Sequence, residues 1–371
     1  MSNLNKSEIY KRAQISLNEE KPFVIYRKVN DSFLNAFFQQ DNKTYPYEHS
    51  VSSGFIMAPF NSNDSAYIIP TEKADFLSVK LAKASNHVFI HAEDNYEALD
   101  PLAAANFKNL VEKSILEIQS KALLKVVLSR KEVIPFQASF IETFQILEQL
   151  YPSAFCYLWY HPATGCWTGA TPETLLSFNG KKYKTVSLAG TRKFISATPK
   201  RWGKKELDEQ AIVTDTIVNT LRLYTESLEI EGPKTIKAGI LEHLKTEITG
   251  SVKEENLIKL LQSLHPTPAV CGTPRDKAKD FILANEDYKR EFYTGFLGII
   301  NVKSKPSSTA LTELFVNLRC MKLEKTKASI YVGGGITADS NPRDEWEETV
   351  NKSKTMKKVL LNIPKEGFRK H

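Results

Sequence analysis

The sequence predicts an α/β chain of the α+β kind, in which short antiparallel strands are mixed with amphipathic helices. Three observations carry that assignment. Apolar, β-branched and aromatic runs such as residues 155–160 and 174–178 are separated by turn residues rather than by helical crossovers. Asn179-Gly180, between two such runs, is a hairpin signal because both residue types accept positive φ. Tight turns join antiparallel neighbours only, which excludes a doubly wound parallel sheet. At 371 residues the chain has the length of two domains or of one large unit. Neither a linker nor an internal repeat marks a boundary within it.

Composition narrows the function classes. With 42% hydrophobic, 25% charged and 10% aromatic residues, the chain is of ordinary soluble type. Cys156, Cys166, Cys271 and Cys320 are scattered with no C-x-x-C pair, which argues against zinc and against a disulfide framework and fits reduced thiols in the cytoplasm. Residues 1–6 lead into polar sequence without a signal-type apolar region, and no apolar run approaches the roughly 20 residues of a membrane span. The net charge of +7 is spread over dispersed lysines, so a small anion is a better partner than nucleic acid or a membrane.

In chain order, Phe23-Val24-Ile25-Tyr26-Arg27 and Gly54-Phe55-Ile56-Met57 read as short strands. Residues 96–120 read as a helix from the spacing of Leu102, Phe107, Leu110, Val111, Ile115 and Ile118. Residues 125–131 read as a strand with Lys125, Val127 and Ser129 on one face. Residues 155–160 and 167–173 follow as strands, then 174–178, the Asn179-Gly180 turn and a return over 183–188. Helix is expected over 205–223, 257–264 and 277–284. Between the last two, the prolines of residues 265–274 suggest a stiff loop without regular structure. A glycine-marked strand is expected over 292–300. A last hairpin pairs 313–323 with 329–333, and there Arg319 shares a face with Asn317 and Phe315. After Gly333-Gly334-Gly335, Asn341 is a good N-cap and Pro342 fits the first helical position.

The chemistry-bearing residues gather in these segments. Glu345, Glu348 and Lys352 fall on one face of the last helix, in line with apolar Met356 and Val359. Glu206 and Glu209 form a second E-x-x-E pair in line with Val213 and Ile217. Each pair alone reads equally as a solvated acidic face. Two pairs together supply oxygen ligands for a hard divalent ion such as Mg²⁺. Lys125, in a Val-Val-Leu strand, is paired, or exposed on an edge, or desolvated towards a neutral general base. Glu173 either begins a strand or, if buried, is a general acid. Arg319 and Lys352 suit substrate carboxylates or serve as counter-ions to the glutamates. The histidines offer no ligand set, and His265 reads as a loop residue.

Taken jointly, these segments resemble the chorismate-utilising enzymes, which include isochorismate, salicylate, anthranilate and aminodeoxychorismate synthases. The resemblance covers residues 120–362, leaving 1–120 divergent. It rests on Lys125-Val126-Val127-Leu128-Ser129-Arg130, Gly169-Ala170-Thr171-Pro172-Glu173, Ala189-Gly190-Thr191-Arg192, Glu206-x-x-Glu209, His265-Pro266-Thr267-Pro268-Ala269, Asn317-Leu318-Arg319-Cys320, Gly333-Gly334-Gly335-Ile336 and Glu345-Trp346-Glu347-Glu348-Thr349, in that order. It implies a single domain over 1–371, built of two large antiparallel sheets packed together and flanked by helices, the anthranilate synthase component I-like fold, with the site in a cleft.

It also implies Mg²⁺, with Glu209 and Glu348 as direct ligands and Glu206 and Glu345 acting through water. Arg319, Lys352 and the backbone at Gly190 and Gly333 are implied as holders of the substrate carboxylates, with Thr191 and Tyr331 beside them. Lys125 stands where the water-adding members have lysine. Ala189 stands where aminodeoxychorismate synthases have a nucleophilic lysine. The expectation is therefore a cytoplasmic, monomeric isochorismate synthase, serving menaquinone or siderophore biosynthesis. In it Lys125 deprotonates water attacking C2 and Glu173 protonates the departing C4 hydroxyl. A salicylate synthase, or a non-catalytic anion- or metal-binding protein on the same scaffold, is the alternative. One departure stands out: Gln210 occupies the position after the metal glutamate where the family usually has histidine. From its i+1 place it is expected to point away from the Glu209 face.

Overall fold

The structure is a computed structural model that describes residues 5–47, 53–81, 100–193, 201–238, 241–303 and 308–364. The N-terminal third supplies α1 (Lys6–Asn18), β1 (Phe23–Arg27), β2 (Phe33–Gln39), β3 (Gly54–Ala58), β4 (Tyr67–Pro70), β5 (Ala74–Lys80) and α2 (Pro101–Gln119). The helix expected from residue 96 begins at Pro101, where Asp100 accepts the N–H groups of Leu102 and Ala103; the part of that expectation before residue 100 lies outside the described residues. The middle supplies β6 (Lys125–Pro135), α3 (Phe140–Leu150), β7 (Phe155–His161), β8 (Gly165–Thr171), β9 (Thr174–Phe178), β10 (Lys182–Lys193), α4 (Lys204–Leu221), β11 (Ser227–Ala238) and β12 (Leu241–Ser251). The remainder is α5 (Leu257–Leu264), β13 (Gly272–Thr273), α6 (Arg275–Asn285), β14 (Phe296–Val302), β15 (Leu311–Val316), β16 (Cys320–Leu323), β17 (Lys327–Ile336) and α7 (Pro342–Leu361).

The strands form two sheets, and every pairing among the described residues is antiparallel. One sheet has nine strands in the order β13-β6-β17-β16-β8-β7-β1-β2-β5, the other eight in the order β11-β12-β10-β9-β15-β14-β3-β4. They pack face to face through Val24, Tyr26, Tyr157, Trp159 and Trp167 on one side and Phe55, Met57, Leu297 and Phe315 on the other. Phe155 and Phe315 stack with ring centres 4.1 Å apart. The outer face of the larger sheet is covered by α1, α3 and α7, and that of the smaller by α4 and α5. This explains why β1 is buried at all five positions instead of alternating. Phe23 and Ile25 face helices while Val24 and Tyr26 face the second sheet, so both sides are dry. Fully burying such a side chain contributes about 1.5–3 kcal/mol.

Four local expectations need correction. The supposed last hairpin over 313–323 is broken, because β15 belongs to the smaller sheet and β16 to the larger. The chain crosses between sheets at Asn317-Leu318-Arg319, so Arg319 does not share a strand face with Phe315. Asn317 makes the crossing possible: its side chain accepts from Tyr157 Oη at 2.6 Å and donates to the Phe292 carbonyl at 2.9 Å. In the 265–274 loop, Gly272–Thr273 pairs with Val126 and Lys125 despite the neighbouring prolines. At the β9–β10 turn only Gly180 takes positive φ, and the Asn179 side chain instead accepts the Lys182 N–H at 3.1 Å. The strand expected from residue 292 begins at Phe296, since the Tyr293 and Gly295 N–H groups close turns onto Arg290 and Phe292.

A buried ion pair ties these pieces to β6. Arg290 donates to the Val127 carbonyl at 2.7 Å and the Val270 carbonyl at 3.0 Å, while Glu286 accepts the Ser129 N–H at 2.7 Å. The two side chains pair at 2.5 Å with 2% exposure each. Removing one partner leaves the other charge stranded, so Arg290→Met is expected to cost about 3–5 kcal/mol in urea unfolding, and Arg290→Met with Glu286→Leu clearly less. Equal losses for the single and double variants would show that the pair is not the anchor described.

Candidate active site between the sheets and two helices

The site is assembled around β6 and β17, whose ladder sets Gly335 opposite Val127 and Gly333 opposite Ser129. Lys125 is fully buried on a strand enclosed by β13 and β17, and its Nζ lies 2.9 Å from Glu209 Oε1 of α4. Of the alternatives for this lysine, the edge position is thus excluded and the paired one realised. The glycines of β17 are what admit the pair. A Cβ on Gly335 would collide with Glu209 Oε1 and lie 2.8 Å from Lys125 Cε.

Helix α7 closes the other side. Asn341 caps it by accepting the N–H groups of Arg343 and Asp344, as the sequence suggested. Glu348 and Lys352 pair at 2.5 Å, and Lys352 also donates to the Gly333 carbonyl at 2.9 Å. The Gly333 carbonyl is therefore occupied by lysine. Glu345 is buried, accepting Ser340 Oγ at 2.6 Å, with its other oxygen 3.4 Å from where a Gly334 Cβ would stand. Glu348 Oε1 is 3.5 Å from that same point, so both glutamates lean over Gly334. Glu206 stands apart from them. Its carboxylate folds back to within 2.5 Å of where a Gly203 Cβ would be, at the N-terminus of α4, where open N–H groups attract a negative charge.

Across the cavity lies Glu173, between β8 and β9 and only 3% exposed, its N–H donated to Thr171 Oγ1 at 3.3 Å. Burial lifts its carboxyl to about 8, against the opposing pull of Lys125, Arg319 and Lys352. Arg319, at φ +48, reaches the Lys352 carbonyl at 3.5 Å. Gly190, at φ +66, lines the cavity at a bulge in β10. Tyr331 lines it with its ring, stacked 5.2 Å from Trp167, while its hydroxyl turns to Glu291 at 3.3 Å. The Thr191 side chain lies outside the described residues. Lys125, Glu173, Gly190, Glu209, Arg319, Tyr331, Gly333, Glu348 and Lys352 are thus brought together.

One residue of the cavity had no sequence signal that singled it out. His243 of β12 lies opposite Thr191 and hydrogen-bonds the Gly190 backbone. Burial pushes its imidazole down to about 3, and Arg319 and Lys352 push the same way, so it is a neutral ring at pH 7. Nothing in Leu241-Glu242-His243-Leu244 separates it from any strand histidine, and only the β10–β12 ladder reveals its place.

The donor chemistry here is that of a hard cation: carboxylate oxygens, with neither cysteine nor histidine among them. Glu209 and Glu348 overhang adjacent glycines from two helices, and two carboxylates are what Mg²⁺ commonly takes from protein, with water and substrate filling the rest. No closed cage of three or more acidic, histidine or cysteine side chains is preformed among the described residues. Lysines neutralise the two glutamates instead.

Residues 61–361 match the family model described as chorismate binding enzyme. The chain belongs to the chorismate-binding enzymes. Isochorismate synthase DhbC of Bacillus subtilis (strain 168) is 31% identical to this chorismate-binding enzyme over 275 residues, covering 69% of this chain and 67% of that protein. In fold it is similar to a 2,3-dihydroxybenzoate-specific isochorismate synthase, DhbC, from Bacillus anthracis. The TM-score is 0.76 at 24% identity, over 95% of this chain and 100% of that one. The menaquinone-specific isochorismate synthase MenF of Escherichia coli gives a TM-score of 0.72 at 21% identity, over 91% and 88% of the two chains. The expected two-sheet architecture is thereby borne out. The family match also begins well inside the segment that the sequence motifs left as divergent.

The state of Glu173 is directly measurable. A carboxyl raised from 4.5 to about 8 by folding binds its proton more tightly in the native state, so its contribution to stability is full below pH 4.5 and is lost as pH rises through 8. Urea unfolding from pH 5 to 9 is expected to show the wild type losing stability relative to Glu173→Gln as pH increases. Parallel curves would refute the buried, protonated carboxyl.

Proposed function

We propose that this chorismate-binding enzyme is an isochorismate synthase, adding water at C2 of chorismate and releasing the C4 hydroxyl. The observation that carries the reading is the buried, proton-holding Glu173 in a cavity whose other charges are Arg319 and Lys352 against Glu209 and Glu348, with the fully buried Lys125 directly behind it, paired to Glu209. That arrangement suits a dianionic substrate needing one proton removed and one supplied.

In this reading Arg319 and Lys352 bind substrate carboxylate, and the Gly190 backbone and neutral His243 orient it. Lys125 acts once its ammonium has given up its proton: as a free amine it takes a proton from water as the water oxygen bonds to C2. Both ring double bonds shift, C1=C2 to C1=C6 and C5=C6 to C4=C5, the C4–O bond breaks, and Glu173 gives its proton to the departing hydroxyl, which leaves as water. One water enters and one leaves, so the net change is an isomerisation. Glu209 and Glu348 would hold Mg²⁺, with Glu345 behind them, and the ion when bound supplies positive charge to a substrate carboxylate. The enclosing sheets keep bulk water from competing at C2.

Purified protein with chorismate and Mg²⁺ is expected to yield isochorismate without pyruvate. Stoichiometric pyruvate with salicylate would convert the assignment to salicylate synthase, and an inert wild type would overturn the enzymatic reading. The value of kcat/KM is expected to fall as pH rises through about 8, where Glu173 loses its proton. Glu173→Gln should lose about a hundredfold or more in kcat. For the ion, calorimetric titration with Mg²⁺ should show Glu348→Gln binding at least about tenfold more weakly than wild type; unchanged affinity would remove Glu348 from the ligand set.

A further inference from the structure

We propose that Gln210 is a positioning residue that sets the Gly190 bulge for the anionic substrate, an inference that rests on the isochorismate synthase reading. The starting point is an incomplete strand. β10 pairs with β12 from Lys182 to Lys193, but with β9 only at Tyr183 and Lys184. Beyond that, the Ser187 carbonyl and the Ala189 N–H, two residues apart and so on one edge of an extended chain, need partners that no strand supplies. Gln210 supplies both. Its Oε1 accepts the Ala189 N–H at 2.8 Å, and its Nε2 donates to the Ser187 carbonyl at 3.2 Å and to Thr246 Oγ1 at 2.9 Å. The carboxamide is 2% exposed and acts as a neighbouring peptide group would.

The very next residue is the bulged Gly190, held against α4, where its Cβ would lie 3.0 Å from the Glu206 carbonyl oxygen. Gln210 also follows Glu209 directly, so one turn of α4 fixes Lys125 with one side chain and, with the next, the Ser187–Ala189 backbone that leads into Gly190. An amide does this without adding a charge to the lysines, arginine and glutamates already gathered at the cavity. The expectation that Gln210 points away from the Glu209 face holds, and what it points at is the strand that carries Gly190. Without the clamp, Ala189 loses its partner and the bulge relaxes; substrate binding weakens before the chemistry does.

The test is Gln210→Met, of similar length but without donor or acceptor, and Gln210→His, with one of each. Both are read by steady-state kinetics with chorismate and Mg²⁺ and by hydrogen exchange across residues 185–191. For Gln210→Met, KM is expected to rise about tenfold, the effect of a hydrogen bond's loss, with kcat within about threefold. Exchange at Ala189 should quicken, and Gln210→His should recover most of the affinity. If Gln210→Met does not fold, a Gln210→His enzyme with KM near wild type supports the proposal and one with KM raised tenfold or more overturns it. Unchanged KM in a Gln210→Met enzyme whose Ala189 exchange has quickened overturns it, as does a loss confined to kcat. A wild type that leaves chorismate untouched would instead sink the functional reading, and that result is known before any substitution is made.

Discussion

A lysine fully buried one strand in from the edge of a sheet sets the terms for everything around it. An ammonium without water must have an opposite charge beside it, and Lys125 finds it in Glu209 at 2.9 Å. That pair needs helix α4 laid across β6, and it needs Gly335 on β17, because any side chain there would collide with the carboxylate. The same logic repeats at α7, where Lys352 engages Glu348 and the Gly333 carbonyl. Two helices are thus drawn over one glycine-bearing strand by two ion pairs.

The larger frame exists to hold that arrangement still. The N-terminal third inserts strands into both sheets, so it is part of the scaffold rather than an appendage. The Glu286–Arg290 pair pins β6 to the loop that precedes α6 through Val127, Ser129 and Val270. Asn317 and Tyr157 secure the crossing that delivers Arg319 at positive φ. Each device satisfies buried backbone or charged groups that would otherwise cost about 1–3 kcal/mol or more. Rigidity in the site is a by-product of that satisfaction.

Much of the architecture was legible where local signals are strong. Asn341-Pro342 announced α7, Leu257–Leu264 carried helical spacing, and the turn at Gly180 implied antiparallel pairing. Signals failed where both faces of a strand are buried or a helix buries little. β2 has six buried positions in a row and so does not alternate, and the buried face of α1, Ile9, Ala13 and Ser16, has helical spacing but a single large apolar side chain. The sequence reading places neither α3 nor the β11–β12 ribbon, and His243 is hidden with β12. No helix among the described residues is long and apolar enough to cross a membrane.

The sequence by itself determined the inventory: two E-x-x-E pairs, a lysine among valines, glycines ending a strand, and the ordered motifs that mark a chorismate-binding enzyme. Those features are local, set by residue type and spacing along one element. Tertiary structure alone decided the partnerships. It paired Lys125 with Glu209, turned Glu206 aside, lifted Glu173 towards 8 by burial, and placed His243 and Gln210 on either side of Gly190. Charge and hydrogen-bond partners come from elements far apart in the chain, and their energies depend on distance and on the water excluded between them.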